Sequence, residues 1–275
     1  MSGDASRAST PEPASYRRVA LFGGVYSNHV ALRAALEDAR AREAEAVFCL
    51  GDLGAFGPNP DKVFPLLVDA GVQTLRGNYD DSIARGLDDC QCGYTDPKDN
   101  HYARLSYRYT YAKTSDRWKE WMRALPAEIR FRLGDRRVLL CHGSPRRTNE
   151  FLWESTTPTH FLDRLCEGYG ADLIAGTHTG IRWMRQWGAG RAFVNVGVLG
   201  RPENDGRTGV WYALLSAENG AVAVEFVPLE YDHEALAREM EEEALPAEFV
   251  ETIRTGWWTT CLEVLPLKER RRGRF

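Results

Sequence analysis

The chain has 275 residues, 43% hydrophobic and 27% charged, with a formal net charge of −4 and a pI near 5.9. That balance can bury a sizeable core, and it lacks the excess of Lys and Arg on which general nucleic-acid binding or attraction to an anionic membrane relies. No apolar stretch is long enough to span a bilayer, and the first fifteen residues lack the apolar region of a signal peptide, so a cytoplasmic protein without membrane association is expected.

Residues 1–15 are rich in Ser, Ala, Pro and charge without an apolar period, which predicts a disordered tail ahead of a domain over 16–267. The apolar run Val19-Ala-Leu-Phe22, stopped by Gly23-Gly24, predicts a buried strand, and a helix follows over 29–43. A second run, Ala46-Val-Phe-Cys-Leu50, precedes a helix over 61–70, and a strand over 72–76 ends at Gly77. Strands alternating with helices predict parallel pairing in a sheet covered on both faces. The stretch 84–114 breaks this alternation with Asp88-Asp-Cys-Gln-Cys-Gly-Tyr94, Asp96-Pro-Lys-Asp-Asn-His101 and several tyrosines, and is expected to be an insertion or cap. A helix over 115–125 leads to strands over 128–133 and 137–142, joined as a hairpin at Gly134-Asp135. A helix over 159–169, strands over 173–175, 192–198, 210–215 and 222–228, and helices over 233–243 and 246–255 complete the domain. A basic tail over 268–275, with its charges between Lys268 and Arg274, is expected to be solvated. Two packed sheets flanked by helices are predicted. The six cysteines are scattered and are expected to be reduced thiols.

Polar residues fall where the strands end. Asp52 follows a strand at Gly51, Asn78 follows one at Gly77, His142 ends one before Gly143, and His178 lies just past Ala175-Gly-Thr. Such ends converge on one rim of an α/β sheet, and four O and N donors there could enclose a divalent cation. The glycines let the chain turn sharply and approach a bound phosphate. Each residue alone has an ordinary reading as a turn or a hydrogen-bonded strand end. The joint order is the signal.

The segments Leu50-Gly-Asp-Leu with Gly57-Pro-Asn-Pro60, Arg76-Gly-Asn-Tyr-Asp80, Cys141-His-Gly-Ser-Pro145 and Ala171-Asp-Leu-Ile-Ala-Gly-Thr-His178, followed by Val194-Asn-Val-Gly197, together resemble a calcineurin-like metallophosphoesterase of the small bacterial phosphodiesterase branch. The resemblance runs from about Arg17 to Leu215. It implies a four-layer α/β/β/α sandwich and a two-metal centre acting on phosphate esters. Asp52 would match the bridging aspartate, and Asn78, His142 and His178 the other ligands of the second metal position.

Departures accompany the matches. The family's opening Asp-x-His falls on Gly24-Val25-Tyr26, and its closing His-x-His falls on His178-Thr179-Gly180 if one residue is inserted after Gly176, so every ligand unique to the first metal is missing. The ungapped register would instead place Thr177 and Thr179 on the two histidines. Tyr79 replaces the histidine that protonates the leaving group, while Asp80, its orienting partner, remains; Tyr79 is then either a proton donor or an aromatic wall. Tyr26 could bind a ferric ion as phenolate or fill the space of the lost metal. Asn28 and Tyr26 on one loop, and Arg146 and Arg147 after the His142 motif, are candidates for substrate binding, the arginines through a bidentate phosphate contact. His29 and His101 are further candidates. Cys90 and Cys92, with Asp88, Asp89 and Asp96, lack the spacing of common zinc knuckles, so a loop-ordering role is expected.

The leading functional expectation is a metal-dependent hydrolase of phosphodiesters or small phosphate esters, with one divalent metal (Mn, Fe or Zn) and the second metal in doubt. Its partner is a small phosphorylated substrate, and a homo-oligomer is left open. The rival is a catalytically inactive binding or partner-interaction protein. A third reading, non-hydrolytic chemistry at an iron beside tyrosines, stays open.

Overall fold

The computed structural model describes residues 13–188, 190–218 and 220–271. Side-chain alternation along its short strands sets the layering. In β2 (Arg18–Phe22), Val19 and Leu21 join one buried cluster and Ala20 and Phe22 another. In β6 (Arg136–Leu140), β7 (Leu173–Gly176) and β9 (Arg191–Asn195), Val138, Leu140, Leu173, Ala175, Ala192 and Val194 face the first of these clusters. Their neighbours Leu139, Ile174 and Phe193 face a third. Strands covered on both faces read as continuous apolar runs, which is why these were the clearest segments of the sequence.

One sheet has the order β1 (Ser15–Tyr16), β5 (Ile129–Leu133), β6, β7, β9, β8 (Trp183–Trp187). The other has the order β11 (Ala221–Leu229), β10 (Val210–Glu218), β2, β3 (Ala46–Cys49), β4 (Gln73–Thr74). β2, β3 and β4 are parallel, as are β6, β7 and β9, while β10–β11 and β5–β6 are antiparallel hairpins. The two sheets meet through Phe48, Phe131 and their neighbours, the two rings stacked 4.8 Å apart. Helices α1 (His29–Ala41) and α2 (Val63–Asp69) cover the outer face of the second sheet, and α6 (Thr159–Tyr169) that of the first. The predicted four-layer arrangement is therefore present.

The stretch read as an insertion is the end of α3 (Asn78–Arg85), a loop, and the 17-residue helix α4 (Pro97–Lys113). Ala103 and Tyr107 of α4 belong to the same buried cluster as Phe22 and Leu32. Met122 of helix α5 (Asp116–Arg123) joins the same cluster, and α5 lies against α3. Helices α7 (His233–Glu242), α8 (Ala247–Thr255) and α9 (Leu267–Arg270) close the chain. The expected N-terminal tail lies outside the described residues as far as residue 12, but Ser15–Tyr16 already pairs with β5. Residues 272–275 of the basic tail lie outside as well. Cys90 and Cys92 form a disulfide, which corrects the expectation of reduced thiols at that pair; Cys49, Cys141, Cys166 and Cys261 are free. Among the described residues no helix is long and apolar enough to cross a membrane.

Candidate metal centre

Four strand ends, two from each sheet, carry the residues singled out in the sequence. Asp52 follows β3, Asn78 follows β4, His142 follows β6 and His178 follows β7. Ligand atoms of Asp52, His142 and His178 lie within 4.8 Å of one another, and all three side chains are buried. The structure thus places the side chain of His178, and that of neither Thr177 nor Thr179, against the His142 ring: the two threonine hydroxyls donate to the carbonyls of Gly197 and Ile181. Gly77 explains the close approach, since a Cβ there would lie 2.1 Å from Asp52 Oδ1 and 2.8 Å from His142 Cε1. Asp52 (φ 58°) and His178 (φ 62°) are both left-handed, a conformation that side-chain-bearing residues adopt at a cost and that clusters at functional sites.

His142 Nδ1 donates to the Leu50 carbonyl at 2.6 Å, which leaves Nε2 facing Asp52 Oδ2 and His178 Nδ1, each at 3.2 Å. Three lone-pair-bearing atoms converge, an arrangement that a shared proton or a cation must relieve. The electrostatics agree. Burial opposes a charge on His142, but Asp52 outweighs it and holds the imidazole above its ordinary range. Burial likewise opposes ionisation of Asp52, and the His142 charge outweighs it, keeping the carboxyl low. Burial, and then His142, push His178 down to about 3, so it stays a neutral lone-pair donor. With Nδ1 as its lone-pair atom, His178 carries its proton on Nε2, on the side of the Cys92 backbone. Asn78 Oδ1 is buried without a hydrogen-bond partner, while Asn78 Nδ2 donates to the Cys90 carbonyl at 2.8 Å. A buried carboxylate and two imidazole lone pairs in contact fit a divalent cation such as Mn, Fe or Zn.

The other candidates from the sequence have the following surroundings. The Tyr79 hydroxyl contacts Ser106 Oγ at 3.1 Å and the Ala103 carbonyl at 3.4 Å, and burial raises its pKa well above the ordinary phenol value. Its ring is T-shaped to that of Tyr107, a placement that favours the aromatic-wall reading. Asp80 does not orient Tyr79; its carboxylate accepts from the backbone N–H groups of Asp52 (2.7 Å), Leu53 (3.0 Å) and Gly77 (2.8 Å), tying two loops of the site together. Burial, and then the Asp52 charge, push Asp80 up to about 6. Asn28 is the N-cap of α1, accepting from Ala31 N and donating to the Gly200 carbonyl. Arg146 is held by Glu150, and neither it nor Arg147 lines the cavity beside the cluster. His29 is paired with Glu239 at 2.8 Å, and His101 is exposed against Tyr102.

Side chains are not accommodated at two of the positions where the first-metal ligands would stand. A Cβ at Gly24 would lie 2.3 Å from Val198, one at Gly180 would lie 3.0 Å from Trp258, and burial raises Tyr26 so that its phenol stays neutral. Tyr26 does line the cavity, together with Asp52, Tyr79, His178 and a residue that sequence reasoning missed, Arg201. Arg201 precedes a proline in an irregular segment, and only its burial distinguishes it from the chain's many surface arginines.

A family model for the calcineurin-like phosphoesterase superfamily domain matches residues 18–220. An uncharacterised protein of Methanocaldococcus jannaschii, MJ0912, is 24% identical over 242 residues, covering 83% of this chain and 93% of the relative. A metallophosphoesterase from Sphaerobacter thermophilus superposes with a TM-score of 0.67 at 23% identity, covering 87% of this chain and 99% of that one. The hypothetical protein PH1004 from Pyrococcus horikoshii OT3 does so with a TM-score of 0.73 at 22% identity, covering 88% and 99%.

Proposed function

Because the chain belongs to the calcineurin-like phosphoesterase superfamily, we propose that it hydrolyses phosphodiesters or small phosphate esters with a single divalent cation held by Asp52, Asn78, His142 and His178. The observation that carries this reading is the buried convergence of Asp52, His142 and His178 at the ends of strands from both sheets. A cation in such a site supplies Lewis acidity toward a phosphoryl oxygen and makes water more acidic. The protein's own residues do the rest. Leu50 fixes the tautomer of His142, Asp80 sets the backbone of Asp52 and Gly77, and Tyr26 and Tyr79 wall the cavity against solvent. A single cation is supported by the packing at Gly24, where a side chain would clash with Val198, and by the tight contact that one at Gly180 would make with Trp258. The substrate is small, and the cytoplasm is where we expect the protein to act.

The rival, a phosphate-binding protein without turnover, is separated by activity. We would follow bis-nitrophenyl phosphate and nitrophenyl phosphate with added Mn2+ in the parent, Asp52→Asn and His142→Ala. The hydrolase reading predicts turnover in the parent and a loss of roughly a hundredfold or more in both variants, the scale seen when a group stabilising the transition state is removed. Equal rates in all three proteins would end it.

A further inference from the structure

We propose that Arg201 is an oxyanion-binding residue which, with Thr260, forms a subsite beside the Asp52–His142–His178 cluster for a phosphoryl-type group. The inference rests on the phosphoester reading of that cavity and names the side chain that would grip the ester's oxygens.

Arg201 is 6% exposed, and a guanidinium keeps its charge at any accessible pH. A buried charge is tolerated when it is paired. Yet none of the Arg201 nitrogens has a hydrogen bond or ion pair among the described residues, and Nε is fully enclosed. What the group does have is a stacking partner: its carbon lies 3.6 Å from the Trp258 ring centroid, with the Phe56 and Tyr26 rings at 5.6 and 5.9 Å. Stacking on Trp258 covers one face of the guanidinium and leaves its in-plane terminal N–H groups, which have no partner among the described residues, to meet oxygens of a phosphate or carboxylate. Trp258 is itself locked, its indole N–H donating to the Pro202 carbonyl at 2.7 Å and its backbone N–H to Asn204 Oδ1 at 2.9 Å. The stack is therefore preorganised.

A second observation points to the same cavity. The Thr260 hydroxyl is buried without a hydrogen-bond partner, its neighbour being the Cys261 thiol, a weak one at best. Arg201, Thr260, Asp52 and His178 all line one cavity of about 50 Å³, several times the ~10–15 Å³ that a single water needs. The space suits a small oxyanion. Asp52, the carboxylate in that lining, is already engaged by His142 and by the Tyr79 backbone N–H, so it is not the missing partner of Arg201.

The test uses the full chain stripped of metal with EDTA, titrated with inorganic phosphate by calorimetry, with sulfate and acetate as comparison anions. Arg201→Lys keeps the charge and loses the fork; Arg201→Met keeps the length and loses the charge. The parent is expected to bind phosphate without metal, to favour it over acetate, and to lose roughly tenfold in affinity in Arg201→Lys and more in Arg201→Met, while both variants still bind Mn2+. If Arg201→Met does not fold, as judged by circular dichroism, Arg201→Lys carries the comparison. Phosphate binding equal in parent and variants overturns the proposal. So does a metal-free parent that binds no phosphate, an outcome that would leave the Mn2+ centre standing. Loss of Mn2+ binding everywhere, with phosphate still bound through Arg201, would sink the metal reading and keep the subsite.

Discussion

Gly77 is the residue on which the approach of the two sheets' loops turns. Any side chain there meets Asp52 Oδ1 at 2.1 Å and His142 Cε1 at 2.8 Å, so Gly77→Ala must push ligands apart. Overpacking of this kind costs about 1–3 kcal/mol, and we expect Gly77→Ala to lower stability by that amount in urea unfolding and to weaken Mn2+ binding at the same time. Asp80 makes a different prediction. Its carboxylate accepts from three buried backbone donors, so Asp80→Ala strands them and should destabilise by roughly 3 kcal/mol or more, with unfolding by urea as the measure. An orienting role for Asp80 through Tyr79 predicts instead near-normal stability with slowed turnover. Of the candidate site residues, Asp52, His142 and His178, which the fold brings together, were legible because glycine punctuates each strand end. Arg201 was not, because burial is a property of the folded loop and leaves no mark in local sequence.

At the scale of elements, Glu239 of α7 joins three parts of the chain, meeting His29 of α1 at 2.8 Å, Lys62 at 2.6 Å and Asn59 at 2.6 Å. Burial opposes its ionisation, but Lys62, Asn59 and His29 outweigh it and hold the carboxyl below its ordinary range. A carboxyl lowered on folding adds stability above its unfolded pKa near ~4.3, and that stability is lost as pH falls through the folded value. Glu239→Gln should therefore cost about 1 kcal/mol at neutral pH, and the gap from the parent should close below pH ~4 in urea titrations at several pH values. A constant gap across that range would contradict the assignment. The elements that sequence reasoning missed have physical reasons. α4 buries Ala103, Ser106, Tyr107 and Thr110, a helical stripe of small and polar residues that hydrophobic periodicity does not register, although Asp96 as N-cap and Pro97 behind it marked its start. β8 is only partly buried and carries Arg185 and Gln186, so it shows no apolar run. α3 is short and begins at the Gly77 turn that reads as a strand end.

In the molecule as a whole, the proposed cation would tie one sheet to the other, since Asp52 and Asn78 follow strands of the second sheet while His142 and His178 follow strands of the first. A ligand that binds the native state alone stabilises it by about 2.7 kcal/mol at a hundredfold excess over its Kd. For a chain of this size that is a rise in Tm of roughly 5–10 °C on adding Mn2+ to stripped protein, read by calorimetry, and Asp52→Asn should show none. The layers themselves were legible because the strands of the sandwich interior are apolar on both faces. How two sheets bring Asp52, His142 and His178 to one point was not, because it depends on packing between the layers, as at the stacked Phe48 and Phe131, far along the chain from each other.

The most direct test is the stoichiometry of Mn2+ bound to the purified, stripped and reloaded chain, measured by plasma mass spectrometry after gel filtration. One ion per chain in the parent, falling to none in both Asp52→Asn and His178→Ala, is the result predicted. Two ions per chain, no retained metal, or one ion kept in either variant would contradict it.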